Sequence, residues 1–144
     1  MPDPDRPARF NPTGDLLDLA EARPGDRLLL VHGGPELLCS ALRHGCRSAV
    51  SLAAPPRHPE PADLVIAEGV ASQAEAVAVA ESARRALGRG GRLALTLRGA
   101  AAQAARRLVR SLHEYGFSRV RRRAGLDGVV LLLCRQGADR GAVR

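Results

Sequence analysis

The chain has 144 residues, of which 45% are hydrophobic, 26% are charged and only three are aromatic, and its formal net charge is +7. This length suits one domain with a single core, and the apolar fraction excludes a chain that is disordered throughout. The longest apolar run of note, residues 129–134, is far shorter than the roughly 20 residues of a membrane helix. Because the first residues also lack the features of a secretory signal, we expect a cytoplasmic protein with no membrane partner.

The first half of the chain alternates apolar runs with turn sequences. We expect a flexible lead-in over residues 1–14 and a short helix around Leu16 and Leu17. A buried strand over 27–32 is followed by Gly33-Gly34-Pro35 and a helix. The apolar side of that helix carries Leu37, Leu38, Ala41 and Leu42, and Gly45 ends it. The next strand covers 49–53, and a connector with four prolines, residues 54–62, follows it.

The second half continues with a strand over 63–67 and a helix that begins at the capping box Ser72-Gln73-Ala74-Glu75. A glycine turn then precedes a strand over 92–98. One amphipathic helix is predicted next, with its apolar stripe on Ala101, Ala105, Leu108, Leu112 and Tyr115. The charged strand 118–123 is predicted at a sheet edge, where charge discourages aggregation. An apolar strand over 128–135 and a frayed tail over 136–144 complete the chain.

This order of elements predicts a three-layer α/β domain over residues 15–135, with a Rossmann-like mixed sheet that ends in an antiparallel strand pair. Three stretches resemble the class I S-adenosylmethionine-dependent methyltransferase family. Residues 16–34 (LLDLAEARPGDRLLLVHGG) look like its entry helix, first strand and glycine loop. Residues 83–97 (ARRALGRGGRLALTL) are similar to its fourth helix and fifth strand, and residues 112–134 look like its last helix and closing strands.

The glycine loop departs from the pattern of that family. The family's first strand ends in an acidic residue and continues into a G-x-G-x-G loop. Here Leu30 stands where the acid would be, His32 replaces the first glycine, Gly34 matches the second and Glu36 replaces the third. Any retained cofactor contact is expected at the end of the first strand and in its loop, with the acid after the strand over 63–67 beside them at the switch point of the sheet. The residues are Val31, His32, Gly33, Gly34 and Glu68.

The second strand departs in two further ways. In the family it ends in an acid that holds the ribose hydroxyls, whereas here it ends Ser51-Leu52-Ala53, and the next acid is Glu60. The family then places a helix, a strand and another helix before the next strand. Residues 54–62 leave no room for them, so we expect a sheet trimmed at this edge, without the wall that covers the adenine.

Cysteine and histidine spacing predicts no metal site. The three cysteines, Cys39, Cys46 and Cys134, include no C-x-x-C pair, and the four histidines include no H-E-x-x-H motif. We expect the cysteines to be small buried thiols on a helix and a strand.

Charge is distributed unevenly along the chain. All 22 basic residues are arginine; residues 84–144 hold 15 of them against three acids, a net charge of +12, and residues 1–83 have a net charge of −5. A strongly basic half of a chain can be a solvated face or can contact nucleic-acid phosphates. The scarcity of aromatic residues disfavours base stacking. The arginines considered for nucleic acid are Arg106, Arg107, Arg110, Arg121 and Arg122.

Three functions therefore stand as hypotheses. The first is a degenerate methyltransferase homologue that is non-catalytic and acts through a protein partner or a second copy, with the trimmed edge strand as one contact surface. The second is an active methyltransferase in which Gly33, Gly34 and Glu68 still hold S-adenosylmethionine. The third is a basic nucleic-acid-binding module. No catalytic residue and no acceptor substrate are assigned.

Overall fold

The computed structural model describes residues 16–137, in which six strands form one mixed sheet. The order across the sheet is β2-β1-β3-β4-β6-β5. The first four of these strands are parallel, and β6 runs antiparallel between β4 and β5. The predicted mixed sheet with an antiparallel closing pair is confirmed. The strands are β1 (Arg27–Val31), β2 (Ser48–Leu52), β3 (Ala62–Val70), β4 (Leu87–Leu97), β5 (Phe117–Ala124) and β6 (Val130–Gln136).

Helices cover both faces of the sheet, and this gives the three predicted layers. The helices are α1 (Leu16–Leu19), α2 (Pro35–Arg43), α3 (Gln73–Ala86), α4 (Gly99–Gln103) and α5 (Ala105–Glu114). The first two pack on one face and the last three on the other. We call these the α1–α2 face and the α3–α5 face. A single 3-10 turn, Leu126–Gly128, precedes β6.

The core is divided by the sheet into two halves. In β1, Leu28 and Leu30 pack on the α1–α2 face, whereas Leu29 and Val31 pack on the α3–α5 face. All four side chains are buried, because the strand is covered on both sides. That double coverage explains why the sequence over 27–32 is almost continuously apolar.

Both predicted edges are present. β2 pairs with β1 alone, and residues 53–61 after it form neither helix nor strand. The trimmed edge inferred from the short connector is therefore confirmed. At the other side of the sheet, the arginine-rich β5 pairs with β6 alone, which confirms its prediction as an edge strand.

Two predicted elements differ in detail. The amphipathic helix is divided at Ala104 (φ −89°, ψ 12°) into α4 and α5. The glycine turn lies inside β4 as an irregularity, because pairing with β3 moves from Ala62↔Leu87 to Leu64↔Arg92. A Cβ atom at Gly91 would meet the Leu87 Cβ at 2.9 Å, so the inserted segment folds back on Leu87.

Four residues differ from their predicted exposure or placement. Leu42, predicted on the buried side of α2, is 54% exposed, because α2 packs over the edge strand β2. Cys39 is exposed as well, whereas Cys46 and Cys134 are buried; Cys46 lies in the turn after α2 rather than on the helix. Gln136, which the sequence places in the tail, is the last residue of β6 and is 4% exposed. The predicted lead-in and residues 138–144 lie outside the described residues.

Candidate functional site at the carboxyl ends of β1 and β3

The ends of β1 and β3 lie side by side, as expected for the crevice of a parallel sheet. Val31 pairs with Ala67, and both are fully buried. Val31 therefore lies in the core beneath the strand ends and lines no part of the cleft beside Glu68. The residues that follow these strands form the rim of the crevice and include the other four predicted cofactor contacts, His32, Gly33, Gly34 and Glu68.

His32 has a backbone conformation that suits glycine better than histidine. Its φ is +60°, in the left-handed region that costs a non-glycine residue about 1 kcal/mol or more. Its N–H donates to the Leu52 carbonyl oxygen at 2.9 Å. Its Nε2 lies 2.7 Å from Oε1 of Glu75, in the first turn of α3. The His32 side chain thus connects the end of β1 to the start of α3 across the rim.

Glu75 is held in place by its capping interactions. Its N–H donates to the Ser72 Oγ at 3.1 Å, as the predicted capping box requires. Its Oε2 accepts a hydrogen bond from the Ala71 N–H at 3.3 Å, one residue before the position that a standard capping box uses. The sequence marks Glu75 only as a capping residue. Its contact with His32 has no local sequence signal, since 43 positions separate the two.

Gly33 is required by packing, whereas Gly34 begins a helix. A Cβ atom at Gly33 would meet the Leu30 Cβ at 2.9 Å, so a larger residue would force that side chain to move. The Gly33 carbonyl oxygen accepts a hydrogen bond from the Ser51 Oγ at 2.7 Å. Gly34 is the N-cap of α2, and a Cβ there would have no heavy atom within 4 Å.

Glu68 is half-buried at the N-terminus of α2. With Gly34, Pro35, Glu36 and Leu37 it lines a cleft of about 220 Å³. Burial raises the pKa of the Glu68 carboxyl, a hydrogen bond from the Gly34 backbone lowers it, and the charge of Glu36 raises it again. The carboxylate therefore takes the position at a helix N-terminus where an anion is favoured.

The end of β2 carries no carboxylate. Its last residue, Leu52, is 36% exposed, and Ala53 follows it. Glu60, the next acid, lies on the connector. There it lines a separate cleft of about 350 Å³ together with Val50, Leu52 and the connector prolines.

The predicted arginine cluster is divided between the two faces of the sheet. Arg121 pairs with Leu133, whose side chain packs on the α1–α2 face, whereas Arg122 pairs with Leu132 on the α3–α5 face. Because paired residues in a ladder point to the same side, these neighbouring arginines face opposite ways. The exposed Arg106, Arg107 and Arg110 lie on α5, in the layer that Arg122 faces.

Within residues 16–137, no group of three or more His, Cys, Asp and Glu side chains could hold a metal ion. No helix in the same range is long and apolar enough to cross a membrane.

Comparisons with known proteins identify the fold. No family model and no curated protein matches the chain. A SAM-dependent O-methyltransferase from Thermotoga maritima aligns over 94% of this chain and 69% of its own, with a TM-score of 0.68 and 11% identity. The ribosomal protein L11 methylase of Lactobacillus delbrueckii aligns over 85% of this chain and 75% of its own, with a TM-score of 0.66 and 14% identity. The chain has the methyltransferase fold.

A third structure, TrmN from Thermus thermophilus, is 22% identical to this chain. It covers 86% of this chain with a TM-score of 0.64, but the chain spans only 48% of TrmN. The resemblance noted in the sequence is thus confirmed for the fold, and the chain corresponds to about half the length of that methyltransferase-fold relative.

Proposed function

We propose that this chain is a degenerate methyltransferase-fold domain that catalyses no methyl transfer and acts through protein–protein contact. The absence of methyl transfer is supported by one observation: polar groups on the rim of the crevice contact one another. His32 contacts Glu75, the Glu68 carboxyl lies beside the Gly34 backbone at the start of α2, and the Gly33 carbonyl accepts from Ser51. A cofactor would have to replace these contacts rather than meet free groups.

The size of the crevice and the end of β2 support the same conclusion. The cleft beside Glu68 has a volume of about 220 Å³, below the roughly 300–1,000 Å³ of typical small-molecule sites. S-adenosylmethionine also carries two ribose hydroxyls that a carboxylate would hold, and Leu52 and Ala53 offer none. The residues present therefore fit this cofactor poorly, and we derive no catalytic step from them.

Calorimetric titration with S-adenosylmethionine and with its demethylated product tests the first part of this proposal. We expect no binding heat from protein that thermal unfolding shows to be folded. The same titration is made with the double variant His32→Gly, Glu68→Ala, which lacks two side chains of the rim. Glycine accepts the left-handed backbone at position 32 without strain. Micromolar binding by the unmodified chain, about −8 kcal/mol, would overturn the proposal and favour an active methyltransferase with an atypical site.

The surface that supports protein contact is the free edge at β2. Val50 is 50% exposed and Leu52 36% exposed, although both lie on a sheet strand. The Leu52 carbonyl accepts from His32 and the Ser48 N–H donates to Asp26, so these residues point their backbone groups toward β1. Alternation then directs the backbone groups of Ala49 and Ser51 to the open side.

A second copy of this chain fits that edge. Antiparallel pairing of two β2 strands about Val50 places Ala49 of one copy opposite Ser51 of the other, and the two Val50 side chains lie together on the uncovered face. The strand Ser48–Leu52 has no charged residue, so no like charges meet along the paired segment.

Molecular mass in solution, measured by light scattering or sedimentation, tests this contact. We expect a dimer that Val50→Lys and Ala49→Pro both convert to monomer, since the first adds charge and the second removes an outward N–H. Gln103→Lys adds the same charge at an exposed position on α4 and should leave the dimer intact. A monomeric unmodified chain at high micromolar concentration would exclude the second copy as partner.

A further inference from the structure

A basic pocket lies on the α1–α2 face, away from the crevice at β1 and β3. It has a volume of about 380 Å³ and is formed where the end of α1 meets β4, β5 and β6. Its charged lining residues are Glu21 and four arginines, Arg92, Arg119, Arg121 and Arg135. The arginines come from three strands, so their convergence is a product of the tertiary structure.

Like charges stand directly opposite each other in this part of the sheet. Arg92 pairs with Arg135 across the antiparallel ladder, an arrangement that is destabilising unless anions lie close by. Arg92 is buried and has its own anion, Asp26, at 2.7 Å. Arg135 and Arg121 both contact the single carboxylate of Glu21, and the Arg121 contact is 3.6 Å long.

Two strained residues line the pocket. Glu21 has a φ of +59° and Arg119 a φ of +53°, and among residues 16–137 only four non-glycine residues have a positive φ. The pairing of β5 with β6 shifts between Ser118 and Arg121, so Arg119 lies in a β-bulge. Bulges redirect side chains, and strained backbone is concentrated at functional sites. Within the described range the Arg119 guanidinium has no ion-pair partner.

The charge in the pocket matches a dianion. Beyond the Arg92–Asp26 pair, three arginines face one carboxylate, a net charge of +2. Guanidinium groups bind phosphate oxygens through paired, charge-assisted hydrogen bonds. The side chains of Leu19 and Leu133, which lie on the same face of the sheet as the pocket, would contact an organic group attached to the phosphate. We propose that this pocket binds a small molecule that carries a phosphate monoester.

Titration with phenyl phosphate, a monoester with an apolar body, tests the proposal at constant ionic strength. Arg121→Gln should weaken binding roughly tenfold or more, the loss expected for one charge-assisted hydrogen bond. Arg122→Gln is the matched control, because it changes the same charge on the next residue but on the opposite face of the sheet. If both variants lost the same affinity for phenyl phosphate, the binding would be a diffuse electrostatic attraction and the proposed site would be wrong. Thermal unfolding of both variants verifies that they are folded.

Two further measurements identify the source of the phosphate. If an organic group lies on the apolar lining, inorganic phosphate should bind more weakly than phenyl phosphate. If the pocket takes the free anion, inorganic phosphate should bind as tightly as phenyl phosphate. Glu21→Gln should tighten phenyl phosphate binding, since the competing internal carboxylate is gone. If only a single-stranded oligonucleotide binds, with steep salt dependence and equal loss in Arg121→Gln and Arg122→Gln, the site is a nucleic-acid surface and the proposal fails.

Discussion

The two edge strands of the sheet are built in opposite ways. β2 has no charged residue in Ser48–Leu52, pairs with β1 in continuous register and exposes Val50 and Leu52. β5 has arginine at four of its eight positions, Arg119, Arg121, Arg122 and Arg123, and contains a bulge. Charge and bulges prevent edge strands from pairing with other chains. One edge is therefore protected from strand pairing by charge and a bulge, whereas the other has neither protection.

Away from the edges, two ion pairs that involve the inner strands β1, β3 and β4 differ in burial, and this difference gives the largest expected effect. The Arg92–Asp26 side chains are only 7% and 10% exposed, whereas those of Arg27 and Asp63 are 43% and 38% exposed. Asp26→Ala leaves a buried guanidinium without its carboxylate, so we expect a loss of about 3–5 kcal/mol in the free energy of unfolding. Asp63→Ala should cost about 1 kcal/mol. Urea unfolding of both variants measures the two losses. Similar losses would contradict the expectation that the buried pair contributes more to stability than the exposed pair.

The exposed pair also has a defined pH dependence. Hydrogen bonding from Arg27 lowers the pKa of Asp63. A carboxyl with a lowered pKa in the folded state contributes its full stability above the pKa of the unfolded chain and loses it as the pH falls through the folded-state value. The difference between the unmodified chain and Asp63→Ala should therefore be constant near neutral pH and shrink in acid.

Discharging the basic edge tests whether arginine keeps it free of partners. Arg121→Val with Arg123→Val removes two charges from the α1–α2 face of β5 and leaves a strand with high β propensity. We expect new self-association in sedimentation experiments at concentrations where the Val50→Lys variant alone is monomeric. The variant should be made together with Val50→Lys, so that β2 does not contribute. A monomeric double-edge variant would show that the bulge alone protects β5.

A smaller effect is expected where β2 contacts the glycine loop. The Ser51 Oγ donates to the Gly33 carbonyl at 2.7 Å on an exposed part of the molecule. Ser51→Ala should lower the free energy of unfolding by about 1 kcal/mol, the usual contribution of one hydrogen bond. Ser111→Ala is a suitable control, because that Oγ bonds only to the Arg107 carbonyl one helical turn away. A larger loss in the control would exclude a stabilising role for the β2 contact.

The smallest effect concerns Glu68, at the crevice near both β1 and β3. Burial raises the pKa of this carboxyl, so the folded chain holds its proton to higher pH than the unfolded chain does. Stability from this group is present in acid and is lost as the pH rises through the folded-state pKa. Glu68→Gln should therefore raise the midpoint of thermal unfolding slightly at neutral pH and have little effect in acid. Lower stability of the variant at neutral pH would mean that the Gly34 hydrogen bond outweighs burial.

Local sequence patterns were sufficient to predict the elements and their arrangement in layers. Continuous apolar runs identified the strands, the capping box at Ser72 and Glu75 located the start of α3, and the short proline connector placed β2 at an edge. These signals succeed because they are local: periodicity, turn residues and chain length act within about ten positions. The rim residues His32, Gly33 and Gly34 could be named for the same reason.

Which side chains meet depends on contacts between segments that are distant in the chain. The contact between His32 and Glu75, the separation of Arg121 from Arg122 by the sheet, and the convergence of Arg92, Arg119 and Arg135 depend on strand register. A shift of one residue moves every side chain of a strand to the other face, and the bulge at Arg119 makes such a change locally. Register is fixed by packing between segments that are distant in the chain, so composition and periodicity do not contain it.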